Sequence, residues 1–138
     1  MHHPPTVYLL DDQAIVRASF KTWLQESKCF EVIGQHGDPH SAISEIRRLQ
    51  PDIVLLDVAM PGLTGLEALP MIRAAHPHGV VVMVTDFEGA SFVHEALHGG
   101  ARGYLSKTDE PAELLSGLQR IIAGERYVSE RIPGFESP

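Results

Sequence analysis

Cysteine is almost missing from this sequence: Cys29 is the single copy in 138 residues. It has no partner within the chain, so a disulfide-built secreted scaffold is excluded and a reducing compartment fits. Basic residues are also few, 11 Lys and Arg against 18 Asp and Glu, for a formal net charge of −7. That balance excludes a nucleic-acid grip on this segment, because phosphate binding needs clustered Lys and Arg. No apolar run nears the roughly 20 residues of a membrane span. The opening Met1-His2-His3-Pro4-Pro5 lacks the basic and apolar regions of a signal peptide. Internal repeats and low-complexity tracts are absent. What remains is 43% hydrophobic and 21% charged, ordinary usage at about one domain's length. The expectation is a cytoplasmic, soluble single domain.

Apolar runs alternate between two lengths. Short β-rich runs are Val7 to Leu10, Phe30 to Gly34, Ile53 to Leu56, Val80 to Val84 and Gly103 to Leu105. Between them lie helical spacings: Val16, Phe20 and Leu24; Ala42, Ile46 and Leu49; Leu66, Leu69 and Ile72; Phe92, Val93, Ala96 and Leu97; Leu114, Leu118 and Ile121. Five strand–helix alternations predict a parallel sheet with helices on both faces. The runs at Ile53 and Val80 are apolar throughout, as strands covered on both sides are, so they belong in the centre. The second run ends in Gln35-His36 and belongs at an edge. Gly99-Gly100 stops the fourth helix, and Thr108-Asp109-Glu110-Pro111 offers a cap and a first-turn proline for the fifth. The polar stretch 125–138 reads as the start of a linker after a domain over 1–124.

Open parallel sheets bind ligands beyond the carboxyl ends of their strands. The first strand ends in Asp11-Asp12, the third in Asp57, the fourth in Thr85-Asp86 and the fifth in Ser106-Lys107. Strand ends need polar residues and Asp caps helices, so Asp12 alone means little. Asp57 is different. It stands between Leu56 and Val58-Ala59-Met60, where a lone carboxylate is costly unless it is paired or metal-bound. A hard cation such as Mg²⁺ relieves repulsion among clustered carboxylates. A carboxylate is also a nucleophile toward phosphorus. Lys107 and the Thr85 hydroxyl are suited to hold the oxygens of a transferred phosphoryl group.

In these residues the sequence resembles the receiver domain of two-component response regulators. The resemblance is carried by Asp11-Asp12, by Leu55-Leu56-Asp57-Val58-Ala59-Met60-Pro61-Gly62, by Thr85, and by Gly100-Ala101-Arg102-Gly103-Tyr104-Leu105-Ser106-Lys107. It covers about residues 6 to 124. The last segment, with Gly124-Glu125-Arg126-Tyr127-Val128-Ser129, looks most like the NarL/FixJ (LuxR-type) subfamily. The resemblance implies a flavodoxin-like, CheY-like fold: a doubly wound five-stranded parallel sheet, order 2-1-3-4-5, with five helices. It implies Asp57 as phosphoacceptor from a sensor histidine kinase. Asp11, Asp12, Asp57 and the Ala59 carbonyl then hold Mg²⁺ or Mn²⁺. Thr85 and Lys107 contact the phosphoryl group, and Tyr104 changes rotamer as Thr85 moves. Such a receiver acts on its own acyl phosphate and is not a conventional enzyme. Its output is commonly a DNA-binding transcription regulator domain, which this chain lacks; the alternative is a stand-alone receiver, or a pseudo-receiver acting by protein–protein binding.

Two other classes with similar chemistry fail on their motifs. A haloacid-dehalogenase phosphatase needs Asp-x-Asp-x-Thr, whereas Asp57 is followed by Val58-Ala59. A flavodoxin-like electron carrier needs a phosphate loop where Asp12-Gln13-Ala14 stands. Asp86 departs from the family pattern, in which the residue after the switch threonine is small or apolar. At about 6 Å and an effective dielectric of about 20 its repulsion of an incoming anion is about 3 kcal/mol before screening; the two readings are that it slows phosphorylation or that it pairs with Lys107 and alters the switch. Trp23, Leu115 and Ile122 flank the core stripes of helices one and five, and predict a homodimer face there. His94 and His98 have metal-ligand spacing without a third ligand. His76-Pro77-His78 reads as a solvated helix end, and Met60 and Met71 read as packing residues.

Overall fold

The computed structural model describes residues 3–86 and 92–132. Elements alternate as β1 (Thr6–Leu10), α1 (Ala14–Ser27), β2 (Glu31–His36), α2 (Pro39–Leu49), β3 (Ile53–Asp57), α3 (Gly65–Ala75), β4 (Val80–Thr85), α4 (Val93–His98), β5 (Gly103–Ser106), α5 (Pro111–Ile122) and β6 (Tyr127–Val128). All pairings are parallel, in the order β2-β1-β3-β4-β5-β6. The apolar runs β3 and β4 are central and the more polar β2 is an edge, as their patterns predict.

The period-2 geometry of the strands sorts the core into two layers. Val7, Leu9, Ile53, Leu55, Val82 and Val84 face α1 and α5, meeting Phe20, Leu24, Leu114, Leu118 and Ile121. Their neighbours Tyr8, Leu10, Val54, Leu56, Val81 and Met83 face the opposite way, onto Ala42, Ile46, Leu69, Ile72 and Leu97 of α2, α3 and α4. Each central strand is thus apolar along its whole length because each side has its own helices. Gly100 takes the left-handed conformation (φ +104°) just past α4.

Four details depart from the sequence reading. Residues 125–132, expected as the start of a linker, continue the fold: β6 pairs with β5, and Val128 and Ile132 are buried against Tyr104 and the α4 layer; 133–138 lie outside the described residues. A two-residue strand in a polar sequence carries no periodicity, and the sheet has six strands. His76 is buried, not solvated; its Nε2 contacts the Pro51 carbonyl and Gly79 leaves room for its ring. Glu110, and not Thr108 or Asp109, caps α5, in a reciprocal box with Glu113. Met71 and Phe92 are each 39% exposed and are not core residues.

Trp23 is partly buried, its ring 5.5 Å from that of Phe20, and Leu115 is likewise partly buried on α5. Ile122 remains 39% exposed.

Candidate functional site

Four strand ends converge at one edge of the sheet. Asp57 is the last residue of β3, registered opposite Val84 of β4. Thr85 follows and is registered opposite Ser106 of β5. Lys107 is fixed to this edge by its N–H, which donates to the Thr85 carbonyl at 2.8 Å. Asp11 follows β1, and its N–H donates to the His36 carbonyl of β2. Beneath Asp57, Gly65 opens α3 in van der Waals contact with the strand end. A Cβ at 65 would lie 2.2 Å from the Asp57 carbonyl oxygen, so only glycine lets the helix start there.

The side chains form an acidic cluster with one cation. Carboxylate oxygens of Asp11, Asp12 and Asp57 lie within 4.8 Å of one another. Asp57 is 2% exposed and Asp11 6%, whereas Asp12 is open to solvent. Lys107 Nζ lies 3.1 Å from Asp11 Oδ2 and 3.4 Å from Asp57 Oδ2. It donates a hydrogen bond to Gln13 Oε1 at 3.0 Å. Asp57 Oδ1 accepts the Ala59 N–H at 3.2 Å, while its buried Oδ2 accepts no hydrogen bond that meets geometric criteria and lies 3.4 Å from Lys107 Nζ.

Electrostatics follow from this crowding. Burial, and then the Asp11 charge, push the Asp57 carboxyl up to about 7, against the pull of Lys107. Burial alone would lower Lys107, but Asp57 and Asp11 outweigh it and hold the ammonium above its ordinary range. A buried carboxylate oxygen with no donor, beside two more carboxylates, is an all-oxygen donor set of the kind Mg²⁺ takes. Asp11, Asp12 and Asp57 fit such an ion.

Thr85 Oγ1 donates to the Asp86 carbonyl at 2.7 Å. Tyr104 is fully buried in β5; burial pushes its hydroxyl up to about 12, opposed by a hydrogen bond with Thr85. The sequence-predicted residues Asp11, Asp12, Asp57, Lys107 and Thr85 therefore fall at one end of the sheet, while Tyr104 lies within β5, opposite Met83, in the buried core. Ala59 enters through its N–H on Asp57, and Asp86 is exposed at the rim next to Thr85. Gln13 joins them at the site. Its partner is 94 residues away, and no local pattern marks it.

Known proteins resemble this chain in sequence and in fold. The sequence profile described as "Response regulator receiver domain" matches residues 7–119. The chain is 36% identical over 126 residues to the response regulator GacA of Pseudomonas viridiflava, covering 91% of this chain and 59% of that protein. It is 35% identical over 129 residues to the nitrate/nitrite response regulator protein NarL of Escherichia coli K12, covering 94% and 60%. It thus spans about three fifths of the length of these relatives. Among solved structures, a LuxR-family two-component response regulator from Aurantimonas sp. SI85-9A1 superposes with a TM-score of 0.86 at 32% identity, over 94% of this chain and 92% of that one. Among the described residues no helix is long and apolar enough to cross a membrane. The chain belongs to the response regulator receiver domains of two-component systems, within reach of the NarL and LuxR-type branch.

Proposed function

We propose that Asp57 accepts a phosphoryl group from the phosphohistidine of a sensor kinase. The carrying observation is its buried Oδ2, which has an ammonium beside it and no hydrogen-bond donor. An Asp57 oxygen attacks phosphorus, the O–P bond forms, the P–N bond breaks, and the imidazole nitrogen leaves with the electron pair. Lys107 and the Thr85 hydroxyl take the phosphoryl oxygens. Asp11, Asp12, Asp57 and the Ala59 carbonyl would hold Mg²⁺ or Mn²⁺, and such an ion would supply positive charge to offset the carboxylates. Thr85 is then drawn toward the phosphoryl group, and the Tyr104 ring follows, which carries the signal to the α4 side.

The chain turns over only its own acyl phosphate and is no conventional enzyme. Its output is a DNA-binding transcription regulator domain carried by further chain, as the length of its relatives supports. We set the receiver's limit past Ile132, because Val128 and Ile132 belong to the core. It acts in the cytoplasm. Exposed Ile122, with Leu115 on α5 and Trp23 on α1, favours a homodimer through those helices.

Intact mass after exposure to acetyl phosphate and Mg²⁺ tests the reading. One phosphoryl adduct on the wild type and none on Asp57→Asn is expected. An adduct on Asp57→Asn overturns the assignment, and no adduct on either favours a receiver that works by binding alone.

A further inference from the structure

Gln13 occupies the cap position before α1, yet its side chain makes no capping hydrogen bond. Glutamine is a poor choice there, since Ser, Thr, Asp and Asn cap far better. Its amide is engaged elsewhere. Gln13 Oε1 accepts from Lys107 Nζ at 3.0 Å, and the Gln13 N–H donates to Asp11 Oδ1 at 2.8 Å. The other oxygen of Asp11 pairs with the same Lys107 Nζ at 3.1 Å. Asp11, Gln13 and Lys107 thus close a three-membered ring that ties the loop after β1 to the loop after β5. Within it, Gln13 is the one uncharged partner of the ammonium beside the carboxylates of Asp11 and Asp57 among the described residues.

We propose that Gln13 is a positioning residue for Lys107. Its amide oxygen is a third anchor that fixes the ammonium 3.1 Å from Asp11 and 3.4 Å from Asp57, where it can meet an arriving phosphoryl oxygen. The chemistry of the side chain suits the task. An amide oxygen directs a cation without adding charge to a site already holding three carboxylates. It is also a neutral partner at an exposed rim, which an incoming phosphoryl oxygen readily replaces. Without it, the ammonium keeps only its carboxylate partners and loses the contact that fixes its place for the phosphoryl oxygen.

The inference rests on Asp57 as phosphoacceptor, and the test separates the two. The rate constant for phosphorylation by acetyl phosphate with saturating Mg²⁺ is measured for wild type, Gln13→Leu, Gln13→Asn, Lys107→Ala and the Gln13→Leu/Lys107→Ala double variant. Thermal stability is followed in parallel. Gln13→Leu keeps the size and removes the acceptor, and a fall of about tenfold is expected, equivalent to about 1.4 kcal/mol. Gln13→Asn is one methylene too short to reach Lys107 but is a better cap. It should be as slow as Gln13→Leu while its stability is equal to or above wild type, a split that a merely structural role would not produce. In the Lys107→Ala background the Gln13→Leu change should cost nothing further. If Asp57 is phosphorylated and Lys107→Ala is slow, but both Gln13 variants match wild type, the inference is wrong and the reading of Asp57 stands. If Gln13→Leu slows the Lys107→Ala protein as much as the wild type, Gln13 does not act through Lys107 and the inference is also wrong. If the wild type itself gains no phosphoryl group, the reading of Asp57 fails first.

Discussion

Asp57 and Asp109 are both buried carboxylates, 2% and 5% exposed, on loops or strand ends at the same side of the sheet. Their surroundings are opposite. Asp109 Oδ2 accepts the Ser106 N–H at 3.1 Å, and its Oδ1 accepts the Ser129 hydroxyl, with Arg131 3.8 Å away. Arg131 in turn donates to Glu113 at 2.9 Å. Asp109 is thus a satisfied joint that fastens the segment after β6 to the loop bearing Lys107. Asp57 has a single backbone donor, a bare oxygen and a carboxylate neighbour. Burial raises both acids, but Asp109 has a hydrogen bond on each oxygen to offset it, whereas Asp57 has one, from the Ala59 N–H. A buried acid with its bonds filled holds structure together; one left short of partners is a place for incoming chemistry.

That contrast can be broken most sharply through stability. The folded chain binds the Asp57 proton more tightly than the unfolded chain does, since its acidity is shifted from an ordinary 3.8 to about 7. Its contribution to stability is therefore complete below about pH 4 and lost as pH rises toward about 7. Metal-free wild type should lose a few kcal/mol across that window through this group. Asp57→Asn should lose this slope and be the more stable protein at pH 7.5. Urea denaturation in EDTA at pH 5 and 7.5 measures both, and a wild-type-like slope in Asp57→Asn contradicts the account.

Asp109→Ala should go the other way. It strands the Ser106 N–H and the Ser129 hydroxyl, at a cost of about 1–3 kcal/mol. Phosphoryl uptake by Asp57 should persist. A variant as stable as wild type in urea denaturation would mean that the joint is not a structural one.

Metal affinity is the next smaller effect. Asp12→Ala removes the solvent-facing member of the cluster and leaves the buried Asp11 and Asp57 carboxylates in place. Calorimetry should show Mg²⁺ binding weakened by about tenfold or more, on the scale of one lost charged ligand. Undiminished affinity would remove Asp12 from the donor set.

The smallest effect concerns the rim. Asp86 is exposed, so solvent and salt damp its repulsion of an arriving anion. Asp86→Ala should raise the phosphorylation rate with acetyl phosphate by about two- to fivefold at low ionic strength. The gain should shrink at high salt. Equal rates at both ionic strengths would make this carboxylate irrelevant to donor approach.

These two regions also differ in how far the sequence discloses them. The central strands are legible because covering both faces demands unbroken apolar runs, as at Ile53 to Leu56. Asp57 is legible because a carboxylate interrupts such a run, and Asp11, Thr85 and Lys107 because they end the neighbouring ones. Asp109 is not: in Lys107-Thr108-Asp109-Glu110 it looks like a helix cap, and its partner Ser129 lies 20 residues on, in a polar stretch. His76 hides in the same way, since its burial depends on the Pro51 carbonyl 25 residues earlier and on the missing side chain at Gly79. Contacts made across long separations by ordinary polar residues leave no periodic trace. Charges set against an apolar background do.

The central claim is that Asp57, among all the acids of this chain, carries the phosphoryl group. The direct measurement is to phosphorylate the wild type with acetyl phosphate and Mg²⁺, reduce the acyl phosphate with borohydride, and locate the resulting homoserine by peptide mass spectrometry. The account predicts homoserine at position 57 alone. Homoserine at Asp11, Asp12 or Asp86, with position 57 unaltered, would contradict it.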